Sequence, residues 1–323
     1  MDGQEAVCLP KLSRVAVCGG THGNELSGVY LVKEMMKSRK EEDNESGSQP
    51  VLVLSNPRAT KKCLRYTEVD LNRCFSRDAL NSPLLDIAPY EVLRSRELDA
   101  LLGPKGSPYS VDLVCDLHNT TSNMGLCFIA YSDSDWISMH IFKHLKRCMP
   151  DIPMRYIHFD LPQDESYSLD SVGKHGFAME IGPQPHGVVR SNIYTTMKCG
   201  VQHMLDWIHL FNSGRVFEGG FVDVFTLVKH LDYPRDCSTL DIIAAIHPQL
   251  QDRDFCLLNP GDPLFQTFSG ETMPYNGTES LHPFFINECA YYEKGIALSL
   301  SRLRRVKIPA VCATSEQHAV IVT

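Results

Sequence analysis

Over its first two thirds, this 323-residue chain alternates short runs that are apolar on both sides with segments of helical spacing. A strand with apolar side chains on both faces has nothing to show to water. It belongs in a sheet covered on both sides, and intervening helices are the usual cover. Such runs fall at residues 14–18, 51–54, 111–117, 126–131, 154–159 and 176–181. Between them the spacing predicts helices over 25–36, 90–102 and 136–149, with a longer one over 191–211. Past Asn212, Ser213 and Gly214 the pattern changes to β-rich runs punctuated by Pro and Gly. The expectation is an α/β domain over 1–212 followed by a smaller, mostly β domain over 213–323. The polar insertion EEDNESGSQP (41–50) reads as a mobile surface loop.

Composition narrows the partners. A net charge of -8 and a pI near 5.9 argue against a nucleic-acid or anionic-membrane surface. No apolar run reaches the roughly 18 residues a membrane span requires. The segment 1–12 carries Asp2, Glu5 and Pro10 and lacks the apolar stretch of a signal peptide. Twelve scattered cysteines, several of them (Cys18, Cys115, Cys127) inside apolar runs, fit reduced, buried thiols in a cytoplasmic protein. The sequons at Asn44, Asn119 and Asn276 then carry no meaning as glycosylation sites.

Four segments hold polar residues where chemistry would need them. His22 and Glu25 lie three apart in the loop that follows the first strand. A zinc site uses such nitrogen and oxygen donors, though His203 and Asp206 show that chance supplies the spacing too. His118 ends the run 111–117, at the carboxyl edge where open α/β sheets place their sites. Asp116 beside it suits a partner for a ligating imidazole, or the cluster merely ends a strand. Glu180 alternates with apolar residues at the end of 176–181. It serves either as a proton acceptor near a metal or as a solvent-facing residue of an edge strand. The basic stretch 61–73 contains Arg65, suited to an oxyanion or carboxylate, or is a solvated loop.

Taken together, GGTHGNE (19–25), DLNR (70–73), DLHNTTSNMG (116–125), EIGPQP (180–185) and NECAYYEKG (287–295) resemble the aspartoacylase family of zinc acylases. They stand in family order and span nearly the whole chain. The resemblance implies a carboxypeptidase-like α/β/α sandwich whose C-terminal β domain narrows the entrance. It implies one Zn2+ per subunit held by His22, Glu25 and His118, with Glu180 as general base and then general acid. Arg65 would polarise the scissile carbonyl, Asn72 and Arg73 would grip the substrate α-carboxylate, and Tyr291 would reach in from the C-terminal domain. A homo-oligomer acting on a small N-acyl amino acid is expected, and among members the chain looks closest to those acting on N-acetylated aromatic amino acids and mercapturates. Relatives that cut N-acetylaspartate carry an arginine ten residues before the catalytic glutamate, and here that place is Asp170. A negative charge there should repel an acidic side chain. The alternatives are an aspartoacylase proper, a metallocarboxypeptidase, or a silent scaffold that has kept the fold.

Overall fold

The computed structural model describes residues 6–41, 49–83 and 87–314. Most of the polar insertion at 41–50, with Asn44, lies outside the described residues. In chain order the elements begin with β1 (Val7–Leu9), β2 (Val15–Gly19), α1 (Leu26–Glu41), β3 (Val51–Leu54), α2 (Pro57–Lys62), α3 (Arg77–Asn81) and α4 (Tyr90–Leu102). They continue through β4 (Leu113–Asn119), β5 (Gly125–Ala130), α5 (Trp136–Cys148), β6 (Met154–His158), β7 (His175–Gly182) and α6 (Ser191–Asn212). The strands that follow are β8 (Gly220–Leu231), β9 (Ala244–Ile246), β10 (Pro263–Thr267), β11 (Thr272–Pro274), β12 (His282–Phe284), β13 (Leu298–Ile308) and β14 (Val311–Ala313), with a short 3-10 turn over Cys289–Lys294.

Nine strands form one sheet in the order β12-β13-β8-β6-β5-β7-β4-β2-β3. β3, β2, β4 and β7 run parallel, β5 turns antiparallel to β7, and β6 and β8 follow parallel to β5. The double-sided apolar runs explain this arrangement. Every residue of β2 and β4 is buried, and side chains alternate between two cores. Val15, Val17, Leu113, Cys115, Leu117, Phe177, Met179 and Ile181 point to the side covered by α1, α5 and α6. Ala16, Cys18 and Val114 point to the other side, where Leu80, Leu98 and Leu102 of α3 and α4 cover them. The result is an α/β/α sandwich. β8 and β13 extend this same sheet, and the small sheet β11-β10-β9 packs around its own core of Ile246, Leu258, Phe265 and Leu298. Among the described residues, no helix is long and apolar enough to cross a membrane.

Candidate active site

β2, β4 and β7 are parallel, so their carboxyl ends meet at one edge. After β2 the chain turns through Gly20, at φ +72°, where a side chain would be strained. A Cβ on Gly23 would lie 2.1 Å from the Ala59 backbone, so only glycine lets this loop rest on α2. Asn56 caps α2 by accepting from Ala59 N–H at 3.0 Å, and Pro57 opens its first turn. Beyond α2, Arg65 O accepts from Gly23 N–H at 3.2 Å, which fixes Arg65 beside His22. On the sheet, His118 and Glu180 are direct register partners.

The Nδ1 atoms of His22 and His118 stand 3.1 Å apart. Glu25 meets the first at 2.7 Å and the second at 2.9 Å. Donors at about 2.0–2.1 Å from a tetrahedral zinc lie roughly 3.3 Å from one another, so this donor set fits such an ion. The far nitrogen of each ring is also engaged. His118 Nε2 meets Asp116 at 2.8 Å, and His22 Nε2 meets Asp70 at 3.1 Å. Paired carboxylates of this kind orient ligating imidazoles and raise their basicity. Asp116 is held in turn by the Thr21 hydroxyl at 2.7 Å.

The nine residues to which the resemblance or the Asp170 comparison gives a place at the substrate or metal line one cavity, with about 560 Å³ of empty space counting its open mouth, while Asp116 lies behind it. Burial works to raise Glu25, but the adjacent His22 and His118 rings hold it well below the ordinary carboxylate value. Burial also works against charge on His118, yet Asp116 and Glu25 push that ring well above its usual value. Glu180 has no hydrogen-bond partner among the described residues, and the nearby His118 and Arg65 only partly offset its burial. Burial, reinforced by the Glu25 charge, pushes it up to about 8. Glu180 lies on the inner strand β7 at 9% exposure, so the edge-strand reading does not hold. Arg65 spans the acids, donating to Glu25 at 3.2 Å and to Asp70 at 3.3 Å, so the solvated-loop reading of its stretch fails too. Asn72 Oδ1 accepts from Leu169 N–H at 3.0 Å, and the Arg73 guanidinium lies 4.6 Å from the Tyr167 ring centre. Asp170 is buried, and burial lifts it to about 6 despite the Ser168 hydroxyl on its Oδ1 at 2.5 Å.

Sequence reasoning passed over several residues that build the site. Asp70 gathers His22, Arg65, Lys294 at 3.0 Å and the Asn72 N–H at 3.0 Å on one carboxylate. Glu91, an ordinary first-turn acid of α4 by pattern, accepts from Thr67 N–H and hydroxyl at 2.7 Å each. It also accepts from Glu68 N–H at 3.1 Å and Asn56 Nδ2 at 3.2 Å, so it holds the loop that presents Asp70. Glu288 accepts from the Thr120 hydroxyl and from Thr121 N–H at 2.7 Å, docking the C-terminal segment on the end of β4. That segment brings Phe285 and Tyr291 into the cavity that Tyr131, Phe159 and Tyr167 also line. The buried acids Asp70, Glu91 and Glu288 stand beside no run of polar residues that would mark them in the sequence. The aromatic wall is equally unmarked.

An α/β/α sandwich with a His-Glu-His donor set at its carboxyl edge is the architecture of a metallohydrolase. Residues 11–208 match the succinylglutamate desuccinylase/aspartoacylase catalytic domain, and 220–303 match the AstE/AspA barrel-sandwich hybrid domain. The chain belongs to this family. It is 60% identical over 307 residues to the N-acyl-aromatic-L-amino acid amidohydrolase (carboxylate-forming) B of Danio rerio, covering 95% of this chain and 98% of that one. The Homo sapiens N-acyl-aromatic-L-amino acid amidohydrolase (carboxylate-forming) is 46% identical over 94% of both chains. The crystal structure of murine aminoacylase 3 superposes with a TM-score of 0.89 at 42% identity, covering 94% of this chain and 99% of that one.

Proposed function

We propose that this enzyme is a zinc-dependent amidohydrolase that releases acetate from N-acetylated aromatic amino acids and S-substituted N-acetylcysteines. The observation that carries this reading is the His22–Glu25–His118 donor set, with Glu180 and an aromatic wall on the same cavity. We take 1–212 as the catalytic domain and 213–323 as the part that narrows its entrance. Twelve free cysteines support a reducing, cytoplasmic setting, and the family resemblance supports a homo-oligomer with one catalytic zinc per subunit.

His22, Glu25 and His118 would hold the zinc ion, which would supply Lewis acidity toward water and the scissile carbonyl. The protein supplies the rest. Glu180, as the carboxylate, accepts a proton from the attacking water and passes it to the leaving amine as the C–N bond breaks. Arg65, fixed by Glu25 and Asp70, donates to the carbonyl oxygen as charge develops there. Asn72, its Oδ1 already taken by Leu169, offers its Nδ2 to the α-carboxylate beside Arg73. Tyr131, Phe159, Tyr167, Phe285 and Tyr291 give the substrate side chain an apolar, aromatic surround. Asp170 disfavours a carboxylate in that place.

The test compares kcat/KM for N-acetyl-L-tyrosine, S-benzyl-N-acetyl-L-cysteine and N-acetyl-L-aspartate, with and without chelator. Chelator-sensitive cleavage favouring the first two is expected. A preference for N-acetyl-L-aspartate would overturn the substrate assignment, and no cleavage by zinc-loaded protein would overturn the catalytic one.

A further inference from the structure

On the face of the sheet away from the active site, α5 and α6 pack together and bring three metal-ligating side chains to one place. His144 and Cys148 stand one helical turn apart on α5, with His144 Nε2 and Cys148 Sγ at 3.5 Å. Around zinc, a thiolate at about 2.3 Å and an imidazole nitrogen at about 2.0–2.1 Å lie roughly 3.6 Å apart, so this pair already has a ligating separation. α6 supplies His203, whose ring meets that of His144 edge-on with centroids 6.3 Å apart. One donor atom from each of the three lies within 4.8 Å of the others. Closing His203 onto the pair takes a shift of roughly 1 Å, within the reach of side-chain motion.

The surroundings favour ligation. Asp206, the next acid along α6, lies 3.7 Å from His203 Nδ1 and suits the carboxylate that orients a ligating ring. His144 Nδ1 is buried without a hydrogen-bond partner among the described residues. Arg147 and Arg215 repel a cation here. The Cys148 thiol releases its proton to solvent on binding, and its negative charge, with that of Asp206, offsets them.

We propose that His144, Cys148 and His203 form a second zinc site, one that joins α5 to α6 and plays no part in hydrolysis. Mixed thiolate and imidazole donors select a borderline ion such as zinc over magnesium or calcium. The catalytic donors contain no sulfur, which makes the two sites separable by spectroscopy.

Chelator-stripped full-length protein is titrated with cobalt(II), following bound metal by equilibrium dialysis and the sulfur-to-cobalt charge-transfer band by absorption. Wild type should bind two ions per chain, one of them with that band, and zinc should displace both. Cys148→Ser should lose the band and the second ion while N-acetyl-L-tyrosine hydrolysis stays at the wild-type level. His203→Ala should weaken the second ion by at least tenfold, roughly the loss expected for a removed ligand or its support. A single bound ion, a second ion without the band, or a band that survives Cys148→Ser would overturn the proposal. So would full second-site affinity in His203→Ala, since the site would then not reach α6.

Discussion

Asparagine at Asp70 is the most informative single change, because it keeps the shape of a side chain on which three cationic or ligating groups depend. Asp70 meets His22 Nε2 at 3.1 Å, Arg65 at 3.3 Å and Lys294 at 3.0 Å. It also accepts from the Asn72 N–H at 3.0 Å, which an amide oxygen still permits. What asparagine removes is the charge and one acceptor oxygen. Burial works to raise Asp70, yet His22 and Arg65 hold it far below the ordinary carboxylate range, so it is an anion throughout the working pH range. Loss of the carboxylate behind a metal-bound histidine typically weakens the metal 10–100-fold, about 1.4–2.8 kcal/mol. Arg65 loses one of its two acids as well and keeps only Glu25, so turnover should fall further than zinc occupancy explains.

The assay is zinc affinity by competition with a chelating indicator, then kcat/KM at saturating zinc. We expect Asp70→Asn to lose 10–100-fold in affinity and roughly another tenfold in kcat/KM at saturation. Asp116→Asn, acting behind His118 at 2.8 Å, should reproduce the affinity loss without the second effect, because Asp116 does not touch Arg65. Zinc affinity within threefold of wild type in both variants would show that the His22–Glu25–His118 set does not hold the metal. An unchanged affinity in Asp70→Asn alone would show that Asp70 serves Arg65 and Lys294 and not the ligand.

Glu180→Gln should lower kcat by about 10²–10⁴ while zinc content, measured by elemental analysis, stays at the wild-type level. Glu91→Ala strands the donors of the 67–69 loop and should cost about 3 kcal/mol of stability in urea unfolding, with weaker zinc binding because that loop carries Asp70. Burial pushes Asp254 up to about 7 from an ordinary 3.8, and its Oδ2 is buried without a partner among the described residues. The folded state therefore holds a proton that the unfolded state releases, and stability falls as pH rises between those two values, by about 4 kcal/mol at most. Asp254→Asn should flatten that slope and stabilise the protein at about pH 8; a variant with the wild-type slope would refute the assignment. Asp170→Arg should raise the kcat/KM ratio of N-acetyl-L-aspartate to N-acetyl-L-tyrosine at least tenfold, and Asp170→Asn by less. An unchanged ratio in both would remove Asp170 from selectivity.

The strands and helices of the first 212 residues were legible because their signals are local. The run 176–181 and the helical spacing over 90–102 each declare themselves within a dozen residues, and both elements lie where expected. His22, Glu25, His118 and Glu180 were legible for a related reason, since each sits at or just beyond the end of such a run. Asp70 was not. Its partner His22 is 48 residues away, and the contact exists only because the segment after α2 folds back on the β2 loop, held by Glu91 from a third element. The joining of β8 and β13 to the main sheet was equally out of reach. Val306 pairs with Val222 across more than eighty residues, and alternating apolar residues say that a segment is a strand without saying which sheet it joins. The cluster of His144, Cys148 and His203 depends likewise on how two helices pack.

One period of two explains why core and site coexist on the same strands. Residues 114, 116 and 118 of β4 share a face, as do 178 and 180 of β7, and His118 sits beside Glu180 in register. At the amino ends of these strands that face is apolar, with Val114 packed under α4. At the carboxyl ends it becomes Asp116, His118 and Glu180, buried polar groups that would destabilise an ordinary core. Two of them are satisfied, Asp116 by Thr21 and His118, and His118 by Asp116 and Glu25. Glu180 has no fixed hydrogen-bond partner among the described residues, which suits the proton transfer proposed for it. The opposite face of the same strands stays apolar through Leu117, Met179 and Ile181 and turns polar only at Asn119, the last residue of β4. A one-residue register slip would drive those apolar groups into the site and the three polar ones under α1 and α6, so the fold and the chemistry are specified by the same alternation.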